Sequence, residues 1–389
     1  IPELPTPLPG RVAAQLFMLG RSAEHAELVI RLIRTVLTRL DQPLGMGVDG
    51  GAESLQVLLS ALRSVSGFDA VSEPDDPGFR PGGPSLPAQP VQSTGPGGDV
   101  RAPEPDPEVP TDRRALALLL DAGVDGSLVS SLKLVVDAAY SVREQLSSDT
   151  WQLIGDVEEE LARLRHRPPT QLVGVQSSLQ RLLQALLALS GLSAENMERH
   201  SAWLFLDGGR RLDRAQSLVR LARAVLVRKR AGVVEDLLLE SLLKTSESLI
   251  IFRRRSGPIM HVAGAVDLLV YDAANPRSVI FQLDRMFDHL ADMPKQSSAQ
   301  RLGNEERLVL EATTMLRLTD AGRLAAVDPT TGLRTELDAV FGRVDGLLGE
   351  LLDSLRHTYF AHERLSVLAG RNTEVGGSDE AGDGTGRRS

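Results

Sequence analysis

A single unbroken stripe of apolar residues near the start of the chain constrains the fold more than any other feature. Its members recur at alternating intervals of four and three residues, at Val12, Leu16, Leu19, Ala23, Ala26, Ile30, Ile33 and Leu37. This spacing puts them all on one face of an α-helix, whereas a strand needs a period of two. Similar helical patterns follow along the rest of the chain, so we predict an all-α protein.

Composition agrees with helices and narrows the function. Aromatic residues make up only 4% of the chain, and strands are usually rich in aromatic and β-branched residues. The net charge of −9 argues against a nucleic-acid partner, because no basic surplus exists to neutralise phosphates. The chain has no cysteine and no apolar run of the ~18–20 residues that cross a bilayer. We therefore expect a soluble cytoplasmic protein with no membrane partner.

The chain also contains an internal repeat. Residues 20–27 (GRSAEHAE) align with residues 209–216 (GRRLDRAQ) at an offset of 189, and residues 141–146 align with 278–283 at an offset of 137. The offset shrinks because a proline-rich insertion lies in the first copy, at residues 72–112. We predict a helical bundle of two tandemly duplicated helical units with approximate two-fold pseudosymmetry.

This interpretation divides the chain into segments of different character. The first unit comprises residues 11–71 and 113–190, and the second comprises residues 191–369. The Pro/Gly-rich insertion at 72–112 cannot bury enough apolar surface to offset its ordering entropy, so we expect it to be disordered. We also expect an extended lead-in at 1–10 and a disordered tail at 370–389.

The repeated motif combines small residues with charged ones. Gly20 and Ala23 would let another helix approach closely. Arg21 and Glu24 stand three residues apart and should be neighbours on one helix face, as should Arg210 and Asp213 in the second copy. Two interpretations remain open: a structural charge network that sets the helix register, or a polar site that contacts a ligand or partner.

At these residues the chain resembles the bacterial alpha-E domain family, a tandem helical unit with a Glu-Arg motif in an early helix. The resemblance covers most of residues 8–365, and it includes the segments 16–27, 142–151, 191–197, 203–215, 253–255, 267–269 and 275–283. The chain departs from the family pattern within the motif. The first copy reads Glu24-His25 and the second reads Asp213-Arg214, so neither keeps the literal Glu-Arg pair.

The resemblance implies a biochemical system rather than a reaction. Alpha-E domains are associated with circularly permuted ATP-grasp ligases, transglutaminase-like proteins and proteasome-like hydrolases in peptide synthesis or modification. The expected partner is therefore an ATP-grasp protein or a fused upstream domain, with the transglutaminase-like protein and the hydrolase as further partners. ATP and Mg are expected only on that partner and no cofactor in this chain, which has no GxxxxGK[ST] loop.

We carry three hypotheses for the function. The first is a non-catalytic helical accessory module that binds substrate or presents it to the ligase. The second is an independent enzyme acting on amino-acid or peptide carboxylates through an Arg/Glu/Asp pocket between the repeats. The third is a purely structural oligomerisation domain. The catalytic residues remain unknown, because the sequence contains neither a cysteine nor a Gly-x-Ser-x-Gly elbow.

The candidate site residues come from the repeat motif and from the other segments that resemble the family. No metal ligand is among them, since no histidine occurs in an HExxH or Glu-x-x-His pattern. Asn275 and Pro276 read as the N-cap and first residue of a helix, which puts Arg277 in a first turn, where a cation needs a counter-charge. The candidates for ligand or partner binding are Arg21, Glu24, Glu27, Glu195, Asn196, Arg210, Asp213, Arg214, Arg253, Arg254, Asp267, Asn275, Arg277 and Gln282.

Overall fold

The structure is a computed structural model, and it describes residues 8–40, 50–66, 127–165, 174–294 and 302–360. Regular structure in these ranges consists of thirteen α-helices and a few short 3-10 and π-helical turns, without a β-strand. The predicted all-α class is therefore confirmed. The predicted insertion at 72–112 and the tail at 370–389 lie outside the described residues.

The α-helices are numbered in chain order. They are α1 (Gly10–Leu40), α2 (Gly51–Ser66), α3 (Leu128–Ser141), α4 (Ser148–Arg165), α5 (Val175–Asn196), α6 (Ser201–Leu226), α7 (Gly232–Thr245), α8 (Leu249–Ser256), α9 (Val262–Val266), α10 (Val279–Asp292), α11 (Asn304–Arg317), α12 (Ala321–Ala325) and α13 (Thr335–Leu355). A 3-10 turn covers Arg143–Gln145, and π-helical turns cover Asp267–Tyr271 and Arg356–Phe360.

The two longest helices, α1 and α6, form the centre of the molecule and pack against each other. Helices α2, α3 and α5 also contact α1, while α10 and α13 contact α6. Every residue of α1 from Leu16 to Glu27 is buried, including charged ones. The apolar stripe predicts one buried face, but helices on several sides bury the whole circumference. Charged side chains in such a helix need partners, because an unpaired buried charge is costly.

The boundaries of the two units remain a prediction; residue 190 lies within α5, which continues to Asn196. The structure corrects one detail of the predicted repeat. The second match is not an equivalence, because Ser141 ends α3 whereas Ser278 caps the start of α10. Similar letters occur instead near the starts of two helices, at residues 151–153 (WQL) in α4 and 281–283 (FQL) in α10. The wider two-fold relation between the units remains a prediction.

Candidate functional site

The crossing of α1 and α6 depends on two glycines, Gly20 and Gly209, one from each copy of the repeat. A Cβ atom on Gly20 would lie 1.9 Å from the carbonyl oxygen of Leu206, and one on Gly209 would lie 2.1 Å from that of Phe17. Both contacts follow the motif offset of 189, which relates Phe17 to Leu206 and Gly20 to Gly209. The two helices therefore touch backbone to backbone through a reciprocal pair of contacts.

The ion pairs of the motif run between the helices. The Arg214 guanidinium donates two hydrogen bonds to Glu24, each 2.5 Å long, from Nε to Oε1 and from Nη2 to Oε2. Arg210 Nε lies 3.9 Å from Glu24 Oε2. In the reciprocal arrangement, Asp213 of α6 lies close to two basic residues of α1. Its Oδ1 is 3.6 Å from Arg21 Nε, and its Oδ2 is 3.6 Å from His25 Nδ1.

The sequence-based pairing within each helix, Arg21 with Glu24 and Arg210 with Asp213, is therefore wrong. The reason is the close crossing of α1 and α6. It brings the carboxylate of each copy between the basic residues of the other copy, and a bidentate Arg–carboxylate contact has a geometry that an i, i+3 pair on one helix rarely reaches. The Glu-Arg pair that neither copy keeps within itself is formed by Glu24 of the first and Arg214 of the second.

Burial and charge oppose each other at these groups. Burial raises the pKa of Glu24, but the charge and hydrogen bonds of Arg214, with Arg210 and Arg277 adding to them, lower it further, to about 2. Burial lowers the pKa of Arg21 to about 10, although Asp213 counteracts part of this effect. At neutral pH the Glu24 carboxylate and the Arg21 guanidinium are therefore both charged, and the crossing is a buried, charge-compensated network.

Arg277 joins this network from the segment before α10. Its Nη2 lies 2.9 Å from Glu27 Oε1, and its Nη1 lies 3.7 Å from Glu24 Oε1. Glu27 also pairs with Arg31 at 3.0 Å. These residues line a cavity of about 20 Å³, which has room for about one water molecule. An amino-acid substrate would not fit in it unless the surrounding side chains moved.

The structure of the turn around Arg277 contradicts the predicted start of α10. The N-cap of α10 is Ser278, whose side chain accepts a hydrogen bond from Phe281 N, so Arg277 precedes the helix. Asn275 is buried and has another role. It donates to the Leu268 carbonyl at 3.0 Å and accepts from Arg277 N at 3.0 Å. A helix start that offers two nearby residues of capping type, Asn275 and Ser278, is ambiguous in sequence, and here the tertiary contacts of Asn275 decide the outcome.

Gln282 of α10 ties the same turn to α6. Its Nε2 donates to the Pro276 carbonyl at 2.7 Å, and its Oε1 accepts from Arg211 at 3.1 Å. Arg211 in turn donates to Asp207 at 2.9 Å. Gln282 therefore holds the Arg277 segment against the central helix, which is a positioning contact.

Sequence reasoning missed a second buried cluster, around Asp207 of α6. His289 Nε2 lies 2.7 Å from Asp207 Oδ2, and Arg210 and Arg211 also reach this carboxylate. Burial raises the pKa of Asp207, but the His289 hydrogen bond and the two arginines bring it well below its usual range. The spacing of Asp207, Arg210 and Arg211 at i, i+3 and i+4 was the available signal.

The remaining candidates lie away from the crossing. Glu195, Arg254 and Asp267 are exposed, and Arg253 pairs at the surface with Glu240, 3.3 Å away. Asn196 lines a separate surface groove next to the 3-10 turn after α3. The structure thus brings together the candidates Arg21, Glu24, Glu27, Arg210, Asp213, Arg214 and Arg277, with Asn275 and Gln282 in support.

Within the described ranges, no three His, Asp or Glu side chains are grouped so that they could hold a metal ion. Across the same ranges, no helix has both the length and the apolar character needed to cross a membrane.

The fold and the crossing define a class of protein: an all-helical module whose two central helices touch at paired glycines and share buried ion pairs. The chain belongs to the Alpha-E family, described as a predicted alpha-helical domain with a conserved ER motif, which matches residues 8–360. The suspected family membership is therefore confirmed.

The chain is also similar to longer mycobacterial proteins. It is 31% identical over 355 residues to "Uncharacterized protein Rv2567" of Mycobacterium tuberculosis and to "Uncharacterized protein Mb2597" of Mycobacterium bovis. Each match covers 90% of this chain and 37% of the relative, so the chain spans just over a third of the length of these proteins. No solved structure matches the chain.

Proposed function

We propose that this chain is a non-catalytic helical accessory module that binds substrate for an ATP-grasp-type ligase, or presents it to the ligase, in a bacterial peptide synthesis or modification system. The observation that carries the proposal is the share of the relatives that the chain matches. In those proteins the Alpha-E region is 37% of a longer polypeptide, so it works in one chain with a larger remainder.

The geometry of the crossing supports a scaffold. Glu24, Asp213 and Asp207 each lie within ion-pair distance of at least two basic side chains. A carboxylate held in this way, with a depressed pKa such as that of Glu24, is a poor general acid or base at neutral pH. What the network does well is to fix two long helices in one register, which a module that presents a substrate requires.

In this proposal the ATP and Mg²⁺ are bound by the ligase partner, and the transglutaminase-like protein and proteasome-like hydrolase act in the same system. The composition that disfavours a nucleic-acid partner, together with the absence of cysteine, is compatible with action in the bacterial cytoplasm.

The test is ATP consumption by the permuted ATP-grasp ligase of the same bacterium, supplied with amino acids and glutamyl peptides, with and without this chain. We expect the chain to raise turnover. Arg277→Ala should reduce the stimulation, because Arg277 is the most exposed member of the network, with 23% of its side chain accessible. The exposed Arg254→Ala is the matched control and should keep the stimulation.

Circular dichroism must first show that both variants keep their helices. Unchanged ligase turnover, together with no association between the two proteins, would refute the accessory role. Turnover by the isolated chain would support the alternative of an independent enzyme. A change of oligomeric state without any ligand or ligase effect would support the third hypothesis, an oligomerisation domain.

A further inference from the structure

A basic groove runs along the outer side of the C-terminal half of α1, where α7 packs against it. Its volume is about 340 Å³, and its walls include Arg31, Arg34, Arg39, Lys244 and Glu247. The groove is distinct from the small cavity at the crossing, although Arg31 borders both. It is a locally cationic surface on a chain whose net charge is −9.

Among the described residues that line this groove, basic side chains outnumber carboxylates. Glu240 is shared by Arg39 at 3.1 Å, Lys244 at 3.0 Å and Arg253 at 3.3 Å. Glu27 is shared by Arg31 and Arg277. Among the described residues, the exposed Arg34 forms no ion pair. Within the described ranges, the carboxylates near the groove are thus fewer than its cations.

Two of these cationic side chains are largely buried and do not extend into solvent. The side chains of Arg31 and Arg39 are only 10% and 9% exposed. Arg39 is positioned by the Leu237 carbonyl as well as by Glu240. A guanidinium held in this way loses little side-chain entropy when an anion reaches it, which favours binding.

Glu247 indicates which functional group the groove can bind, namely a carboxylate. Its carboxylate bonds to Arg31, yet half of the side chain is exposed. Its backbone has φ = 54°, in the left-handed region that residues other than glycine rarely adopt, and it is the single non-glycine residue of the described chain with positive φ. An accessible carboxylate on a strained backbone therefore occupies the Arg31 position, where a carboxylate from a ligand could replace it.

We propose that this groove binds the carboxylates of an acidic peptide, with Glu247 as the internal carboxylate that the ligand displaces from Arg31. From Arg31 to Arg39 the helix rises about 12 Å, which is the length of about four residues of an extended peptide. Such a peptide can place one carboxylate at Arg31 and a second near Arg34 or Lys244. This inference deepens the proposed accessory role by naming a substrate class, and it can be tested without a ligase.

The experiment is calorimetric titration of the full chain with hexa-L-glutamate at low ionic strength. We expect Arg34→Gln to weaken binding about threefold to fivefold, as loss of one exposed charge pair does, and Arg34→Gln/Lys244→Gln to weaken it at least about tenfold. Arg63→Gln, which removes an exposed cation on α2, is the matched control and should leave the affinity unchanged.

A second pair of variants tests the role of Glu247. Glu247→Gln removes the competing carboxylate and should tighten binding about threefold, whereas Asp292→Asn, which removes an exposed charge at the end of α10, should not. Equal effects of the two variants would mean that only net charge matters, and would overturn the displacement by Glu247.

Three results would overturn the groove itself as a peptide site. They are no measurable binding of hexaglutamate, equal losses in Arg34→Gln and Arg63→Gln, and tighter binding of tripolyphosphate than of hexaglutamate by tenfold or more. The last result would identify a phosphate site instead. Because no ligase is present, failure here is distinguishable from failure of the accessory role, which is measured by ATP turnover.

Discussion

Glu24 of α1 and Arg214 of α6 form a bidentate ion pair across the centre of the protein, with both hydrogen bonds 2.5 Å long. The two residues occupy adjacent positions of one repeated motif, but each comes from a different copy, since Glu24 aligns with Asp213 and His25 aligns with Arg214. The motif is thus completed between copies, where two close helices can hold it in a geometry that one helix does not provide.

The paired glycines give the sharpest prediction. Gly20→Ala puts a methyl group 1.9 Å from the Leu206 carbonyl oxygen, and Gly209→Ala puts one 2.1 Å from that of Phe17. Because the obstacle is backbone, the helices must separate, and we expect a loss of about 3 kcal/mol or more in the free energy of unfolding for each. Urea denaturation followed by circular dichroism measures it.

The control for the glycine variants is Gly191→Ala on α5. Its added Cβ would meet no atom within 4 Å, so the substitution should be neutral or stabilising by up to about 1 kcal/mol. A loss at Gly20 no larger than the change at Gly191 would show that α1 and α6 do not cross in this way.

The two partners of the central ion pair should be energetically coupled. Arg214→Met leaves the buried Glu24 carboxylate without its bidentate partner, and we expect a loss of about 3–5 kcal/mol. Glu24→Leu/Arg214→Met should lose less than the sum of the two single variants by about 2 kcal/mol, as measured by a double-mutant cycle in urea. Additive losses would contradict direct contact between the two residues.

The charge network predicts acid sensitivity. The pKa of Glu24 is about 2 in the folded protein and near 4.5 in the unfolded chain. A lowered carboxylate pKa contributes stability that is fully present above about pH 4.5 and disappears as the pH falls toward 2, here on the order of 3 kcal/mol. Asp207, whose pKa is lowered as well, adds to the loss in the same direction.

Urea midpoints measured between pH 7 and pH 3 test this prediction. Glu24→Gln should be less stable than the parent protein at pH 7, but its midpoint should change less with pH. The exposed Asp292→Asn is the control and should follow the parent curve. If Glu24→Gln has the same acid dependence as the parent, the pH effect does not originate at Glu24.

The start of α10 separates capping from tertiary hydrogen bonding. Asn275→Asp keeps the acceptor for Arg277 N but replaces the amide that donates to the Leu268 carbonyl with a carboxylate, so we expect a loss of about 2 kcal/mol. Ser278→Thr keeps both the acceptor for Phe281 N and the hydroxyl that donates to the Asp272 carbonyl at 2.7 Å, so it should cost no more than about 1 kcal/mol. Thermal unfolding of both variants measures the two losses. No loss in Asn275→Asp would contradict the tertiary role of Asn275, because Asp is also a good N-cap.

Much of the fold could be predicted from local pattern. The stripe from Val12 to Leu37 predicted α1, and the repeat of residues 20–27 at 209–216 predicted that two helices share one motif. These features are local because helical periodicity depends only on intervals of three and four residues. The small residues also indicated a close helix approach at Gly20, which the structure places against Leu206.

The partners of the charged residues could not be predicted in the same way. Spacing favours Arg21 with Glu24, because residues three apart on one helix are neighbours in any helix. Asp207 with His289, and Arg277 with Glu27, join residues from different helices and connecting segments, and nothing in their spacing indicates these contacts. The prediction of Asn275 as the N-cap of α10 is wrong for a similar reason. The side-chain amide of Asn275 donates a hydrogen bond to the Leu268 carbonyl, which lies outside the helix start.

The sequence alone therefore determined that the protein is helical, that α1 and α6 carry one repeated motif, and which family the chain resembles. Only the tertiary structure decided that Glu24 pairs with Arg214, that Asp213 pairs with Arg21, and that the basic side chains of α1 and α7 line one groove. The physical reason is range: periodicity and capping act within a few residues, whereas a buried charge is satisfied by whichever opposite charge the packed helices bring near it.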